Sequence, residues 1–233
     1  MRILPSLAAA TTAAAALTAS ASATILTFEQ SSSGVPTDDT PTAIAGDYGD
    51  RVAATEQDGY TYGVGDEGFT GNVQVGFGSP DPRVVSSGFG DLQDVLFENT
   101  PSADPIIGFA ADDSFLVTLF EFEITSREDD FVVDQIVVFD DTGLLFELSD
   151  IQLFASGSET IDFAALTGGP LMGRALDIRI VLTSLGEDSR NVAIDNIRFG
   201  QVAQMADAVP LPGAALLLIT GTAGLAAARR RRG

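Results

Sequence analysis

The stretch Phe115-Leu-Val-Thr-Leu-Phe-Glu-Phe-Glu-Ile-Thr125 decides the fold. Within it Phe120, Phe122 and Ile124 alternate with Glu121, Glu123 and Thr125, the period of a half-buried β-strand and not of a helix. The same period returns at 175–183, where Leu176, Ile178, Ile180 and Leu182 alternate with Asp177 and Arg179. Between Phe131 and Leu148, two apolar runs flank Asp140-Asp141-Thr142-Gly143, which reads as a hairpin whose carboxylates form the turn. Further strands are expected at 25–29, 60–64, 72–77, 144–148, 151–154 and 192–199. The only hint of helix is a weak turn at 163–166.

Many short strands separated by turns, without internal repeats, predict an all-β domain: a two-sheet antiparallel sandwich, jelly-roll-like. Residues 30–50, rich in Ser, Thr, Asp and Pro, read as a long loop. Seven glycines between 59 and 78 mark the first half as loosely specified.

At the amino terminus, Arg2, an apolar run from Ile3 to Leu17 and the small-residue end Ala21-Ser22-Ala23 predict a signal peptide, formed as a helix over 1–23 and cleaved before Thr24. The other end carries Val209-Pro-Leu-Pro212, then 16 uncharged residues from Gly213 to Ala228, then Arg229, Arg230, Arg231 and Arg232. As a helix the uncharged run spans roughly 24 Å. That is short for a bilayer core of about 30 Å, but flanking Leu211 and snorkelling arginines extend it. A single transmembrane helix is expected, with its arginines on the cytoplasmic side. The plan is therefore a signal peptide (1–23), an ectodomain (24–199), a linker (200–208) and a terminal signal (209–233).

The 185 residues from 24 to 208 hold seven arginines, no lysine and 33 acidic residues, a net charge near −26. Nucleic acid is not an expected partner of such a surface; calcium and a saline environment are compatible with it. The chain has no Cys and no His, which excludes disulfides, thiol chemistry, zinc-thiolate sites and His-dependent triads. The acidic runs Asp38-Asp39, Asp112-Asp113 and Glu128-Asp129-Asp130 lack the spacing of an EF-hand. No Gly-x-Ser-x-Gly nucleophile motif occurs, and carboxylate abundance alone does not make a hydrolase. The expectation is a non-catalytic protein.

The terminal stretch resembles the VPLPA-CTERM class of PEP-CTERM sorting signals, with Gly213 where that pattern has Ala. The resemblance covers residues 209–233. It implies a Gram-negative host and an exosortase-like membrane protease as partner. It also implies passage through the inner membrane on the way to the cell surface or extracellular matrix. The opening Leu26-Thr-Phe-Glu29 and closing Ala193-Ile-Asp-Asn-Ile-Arg-Phe199 are similar to ectodomains carried by such signals and to carbohydrate-binding jelly rolls. This likeness implies adjacent first and last strands, sometimes with a structural calcium ion. A carbohydrate-binding module acting on exopolysaccharide is the alternative function, with Tyr60 and Tyr62 as stacking candidates.

Counting back from Phe199, strict alternation places Ile197, Asp195 and Ala193 on its face, so Asp195 should point into the core. A buried carboxylate needs a partner: an arginine such as Arg179 or Arg198, a bulge it caps through backbone amides, or calcium. If the first and last strands are neighbours, as the resemblance implies, Glu29 and Asp195 are the expected calcium ligands, with Asp47 or Asp50 supplying a third carboxylate.

Overall fold

The computed structural model describes residues 23–29, 40–52, 56–57, 60–61, 70–127, 131–154, 157–182 and 188–204. The signal peptide, Tyr62 and the whole stretch 205–233 lie outside the described residues. Among the described residues no helix is long and apolar enough to cross a membrane.

The strands run β1 (Ala23–Leu26), β2 (Thr42–Ala43), β3 (Glu56–Gln57), β4 (Tyr60–Thr61), β5 (Val73–Phe77), β6 (Pro82–Val85), β7 (Val95–Glu98), β8 (Ile106–Ala111) and β9 (Phe115–Ser126). They continue with β10 (Phe131–Asp140), β11 (Gly143–Leu153), β12 (Ser158–Asp162), β13 (Leu171–Gly173), β14 (Ala175–Val181) and β15 (Val192–Ala203). One short helix, α1 (Phe163–Thr167), is capped by Asp162, whose carboxylate accepts the Ala165 amide. It stands where only a weak turn is expected, at 163–166.

Two sheets carry the core, and every pairing in them is antiparallel. In the larger, β9 and β15 lie side by side at the centre. Strands β12 and β13 pair with β9, β1 and β7 pair with β15, and β6 and β2 continue beyond β7. The smaller sheet runs β11-β10-β14-β8-β5. The expected neighbourhood of first and last strands is present, with Leu26 opposite Ile197 and Thr24 opposite Phe199.

The inner faces share one core, the arrangement of a β-sandwich. Phe109 from the smaller sheet meets Phe199 from the larger at 4.9 Å between ring centroids. Leu176, Ile178, Ile180 and Leu182 are all buried in this core, as their spacing predicts. The 131–148 hairpin is also present, and Asp140 forms its turn by accepting the amides of Thr142 and Gly143.

Strands β2, β3, β6, β7, β8, β12 and β13 form where no strand is expected, β2 within the stretch read as a long loop, and three of the expected strands differ in extent. Residues 144–148 and 151–153 belong to one strand, β11, in which Asp150 is a non-glycine residue in the left-handed region (φ 56°); Phe154 falls beyond its end. β15 runs on to Ala203, so its pairing with β9 includes four residues expected in the linker. β1 ends at Leu26 because Phe28 takes φ 52° and turns the chain; its ring is buried and stacks on Tyr48 at 5.6 Å.

Candidate functional site

The site is built where each of the two central strands carries one extra residue. β15 and β9 pair residue for residue from Val192–Ser126 to Asp195–Glu123, and then the register shifts on both sides of Arg198. One extra residue sits on β15 between Asp195 and Arg198, where Asn196 takes φ 50°, and one on β9, Phe120, between Glu121 and Leu119, so the original register returns at Phe199–Leu119. A β-bulge of this kind reverses the facing of everything beyond it.

Val192, Ile194, Ile197 and Phe199 therefore all enter the main core. Ala193 faces the other side, in a small second cluster with Val85, Phe89, Val95 and Phe97. Asp195 shares the face of Ala193 and not that of Phe199. The inward orientation expected from strict alternation is corrected by the bulge, although Asp195 is buried all the same, at 4% exposure. Phe120, the extra residue of β9, leaves the core alternation: it is half-buried beneath the Arg198 guanidinium, which lies 5.3 Å from its ring centroid.

Burial dominates the chemistry of Asp195. Desolvation pushes its carboxyl up to about 8; the Asn196 amide, donating to Oδ1 at 2.7 Å, pulls it down, while Glu123, Asp94 and Glu29 push it up in turn. Asp94 is itself raised, first by burial and then by Glu29. Asn196 also donates through Nδ2 to Glu123 at 2.8 Å.

Neither arginine expected as a partner reaches this place. Arg198 pairs with Glu121. Arg179 pairs with Asp104, a buried carboxylate that also accepts the Leu182 amide. The bulge-capping alternative is the geometry present.

Glu29 and Asp195 do lie within each other's field, as the calcium reading requires. Asp50 does not join them: its carboxylate accepts the Val75 amide at 2.6 Å on the smaller sheet, with Asp47 as its acidic neighbour. The expected set of Glu29, Asp195, Asp47 and Asp50 is therefore not assembled, and Asp94 and Glu123 stand nearer instead. The donors are all oxygen, suited to a hard cation. Yet among the described residues no three carboxylates close on a common point in the manner of a metal site. As it stands, the cluster can hold a proton on Asp195 at neutral pH.

Gly90, at φ 50°, belongs to the segment between β6 and β7 that covers this face. An added Cβ would come within 2.3 Å of Thr125 Oγ1 and 2.8 Å of the Gly157 carbonyl oxygen. Gly90→Ala is expected to cost about 2 kcal/mol from backbone strain and overpacking. Thermal unfolding and faster amide exchange over 86–94 are the readouts.

Of the stacking candidates, Tyr60 lies in the two-stranded β3–β4 ribbon, and Tyr62 is outside the described residues. The sorting residues Val209, Pro210, Leu211, Pro212 and Arg229 to Arg232 are likewise outside them.

The described residues thus define an antiparallel two-sheet β protein. No family model matches the chain, and no curated protein matches it. Solved structures that match include the family 32 carbohydrate-binding module of C. perfringens NanJ in complex with galactose. That match has 9% identity over 56% of this chain and 93% of that one, with a TM-score of 0.32. Another is the Stig cyclase Fisc from Fischerella sp. TAU in complex with (3Z)-3-(1-methyl-2-pyrrolidinylidene)-3H-indole, with 17% identity over 79% of this chain and 100% of that one and a TM-score of 0.36. At these scores neither match carries an argument about this chain.

Proposed function

We propose that this is an exported, non-catalytic protein of the cell surface or extracellular matrix, sorted by an exosortase-like protease through residues 209–233. The observation that carries the reading is the order Val209-Pro-Leu-Pro212, uncharged run, Arg229 to Arg232, at the end of a strongly acidic chain that opens with signal-peptide features. The jelly-roll form of the sandwich belongs to the same proposal.

Calcium is retained as a proposal for the Asp195 cluster, with Asp94 and Glu123 beside Glu29 in place of Asp47 and Asp50. Its support is the accumulation of negative charge around a buried carboxylate.

Cell fractionation of the native host tests the sorting. The wild-type protein is expected in the surface or matrix fraction, and a chain ending at Ala208 is expected to leave that fraction. Equal surface recovery of both would rule the tail out as the sorting element.

Carbohydrate binding on exopolysaccharide is the second reading. What favours it is a polar pocket around Arg127.

A further inference from the structure

Arginine is scarce in residues 24–208, and six of the seven close an ion pair with a carboxylate. Arg127 has no such partner among the described residues. Its guanidinium lies over the Phe89 ring, 4.7 Å from the centroid, an arrangement that fixes the plane while leaving the N–H edges free to donate. It lines an open pocket of about 400 Å³ together with Phe97, Asn99, Asp188, Arg190 and Asn191.

The walls of this pocket are tied together. The Arg127 amide donates to the Asn191 carbonyl at 2.9 Å. Asp188 receives Arg190 through Nε at 2.9 and 3.0 Å to its two oxygens. That hydrogen bonding, chiefly from Arg190, holds the Asp188 carboxyl below its ordinary range and keeps it ionised. Among the described lining residues, two guanidiniums thus stand beside one carboxylate.

We propose that this pocket binds an acidic sugar residue, a hexuronate, with Arg127 taking its carboxylate. The guanidinium edge matches a carboxylate in two parallel hydrogen bonds. The Asn99 and Asn191 side chains and the ionised Asp188 supply the mixed donors and acceptors that sugar hydroxyls require. The volume is that of a small-molecule site. This deepens the carbohydrate-binding reading and rests on it. It assigns recognition to a charged pocket and not to an aromatic platform.

The test is calorimetric titration of the full-length protein in a neutral detergent with trigalacturonate, its fully methyl-esterified counterpart and inorganic sulfate. Arg127→Met keeps an apolar contact on Phe89 and removes the donors; Arg127→Lys keeps the charge without the fork. Arg174→Ala, whose guanidinium pairs with Asp113 away from the pocket, is the control.

Trigalacturonate is expected to bind the wild-type and Arg174→Ala proteins alike, about tenfold or more weakly to Arg127→Met, and with intermediate strength to Arg127→Lys. The ester is expected to bind no better to wild type than trigalacturonate binds to Arg127→Met. Absent binding to wild type, an unchanged Arg127→Met affinity with a retained unfolding midpoint, equal binding of the ester, or sulfate matching the oligomer would each overturn the proposal. Equal binding of the ester, or an unchanged Arg127→Met affinity, would overturn the charged pocket and leave carbohydrate binding standing, whereas absent binding of both oligomers to wild type would overturn both.

Discussion

Asp195→Asn is expected to raise the unfolding midpoint by about 10 °C at pH 9 and by only about 3 °C at pH 5. The folded protein keeps the Asp195 proton up to about pH 8, whereas an unfolded aspartate loses it near pH 4. Between those values the unfolded state binds fewer protons, so stability falls as pH rises, by up to about 1.4 kcal/mol per pH unit, and levels off above pH 8. The full penalty is on the order of 5 kcal/mol, and in a domain of this size each kcal/mol shifts the midpoint by about 2–4 °C. Asparagine has no proton to lose, and its Oδ1 can still accept the Asn196 amide that Asp195 accepts at 2.7 Å. Thermal unfolding from pH 5 to 9 should show a falling wild-type midpoint and a flat variant. A flat wild-type profile would mean that Asp195 is ionised and compensated in the folded protein.

Calcium acts in the opposite sense, because a bound cation holds the carboxylate ionised. If the calcium proposal is right, saturating calcium at pH 9 raises the wild-type midpoint and leaves Asp195→Asn unmoved. A chelator without effect on the wild-type protein at that pH would sink it.

The second large effect is a contrast between near neighbours. Phe122 is fully buried and meets Phe163 at 5.9 Å between ring centroids, so Phe122→Ala is expected to cost about 4 kcal/mol. Phe120, which regular alternation would treat identically, lies outside the core beneath Arg198. Phe120→Ala is expected to cost about 1 kcal/mol. Denaturant unfolding measures both, and equal losses would show that the extra residue of β9 is absent.

That contrast also marks the boundary of what the residues disclose. Leu176 to Leu182 and the Asp140–Gly143 turn were legible because a strand pairing regularly with its neighbours preserves its parity. A bulge depends on how two strands meet, and nothing in the 193–199 sequence alone signals that Asn196 is the extra residue. Asp195 was identifiable as a carboxylate in an apolar strand, while its facing was not.

The Arg127 pocket was out of reach for a related reason: Asn99, Arg127 and Arg190 come from distant parts of the chain and converge only when β7, β9 and the turn before β15 come together. The signal available was the scarcity of arginine, which makes each one worth tracing to its partner. Asp104 and Arg179, 75 residues apart, were hidden in the same way.

The sorting of the chain is decided most directly by the intact mass of the protein recovered from its native host. The expected mature chain begins at Thr24 and ends near Val209, without the uncharged run and its four arginines. A mass that retains residues 213–233 would contradict it and leave the carboxyl-terminal stretch as a membrane anchor.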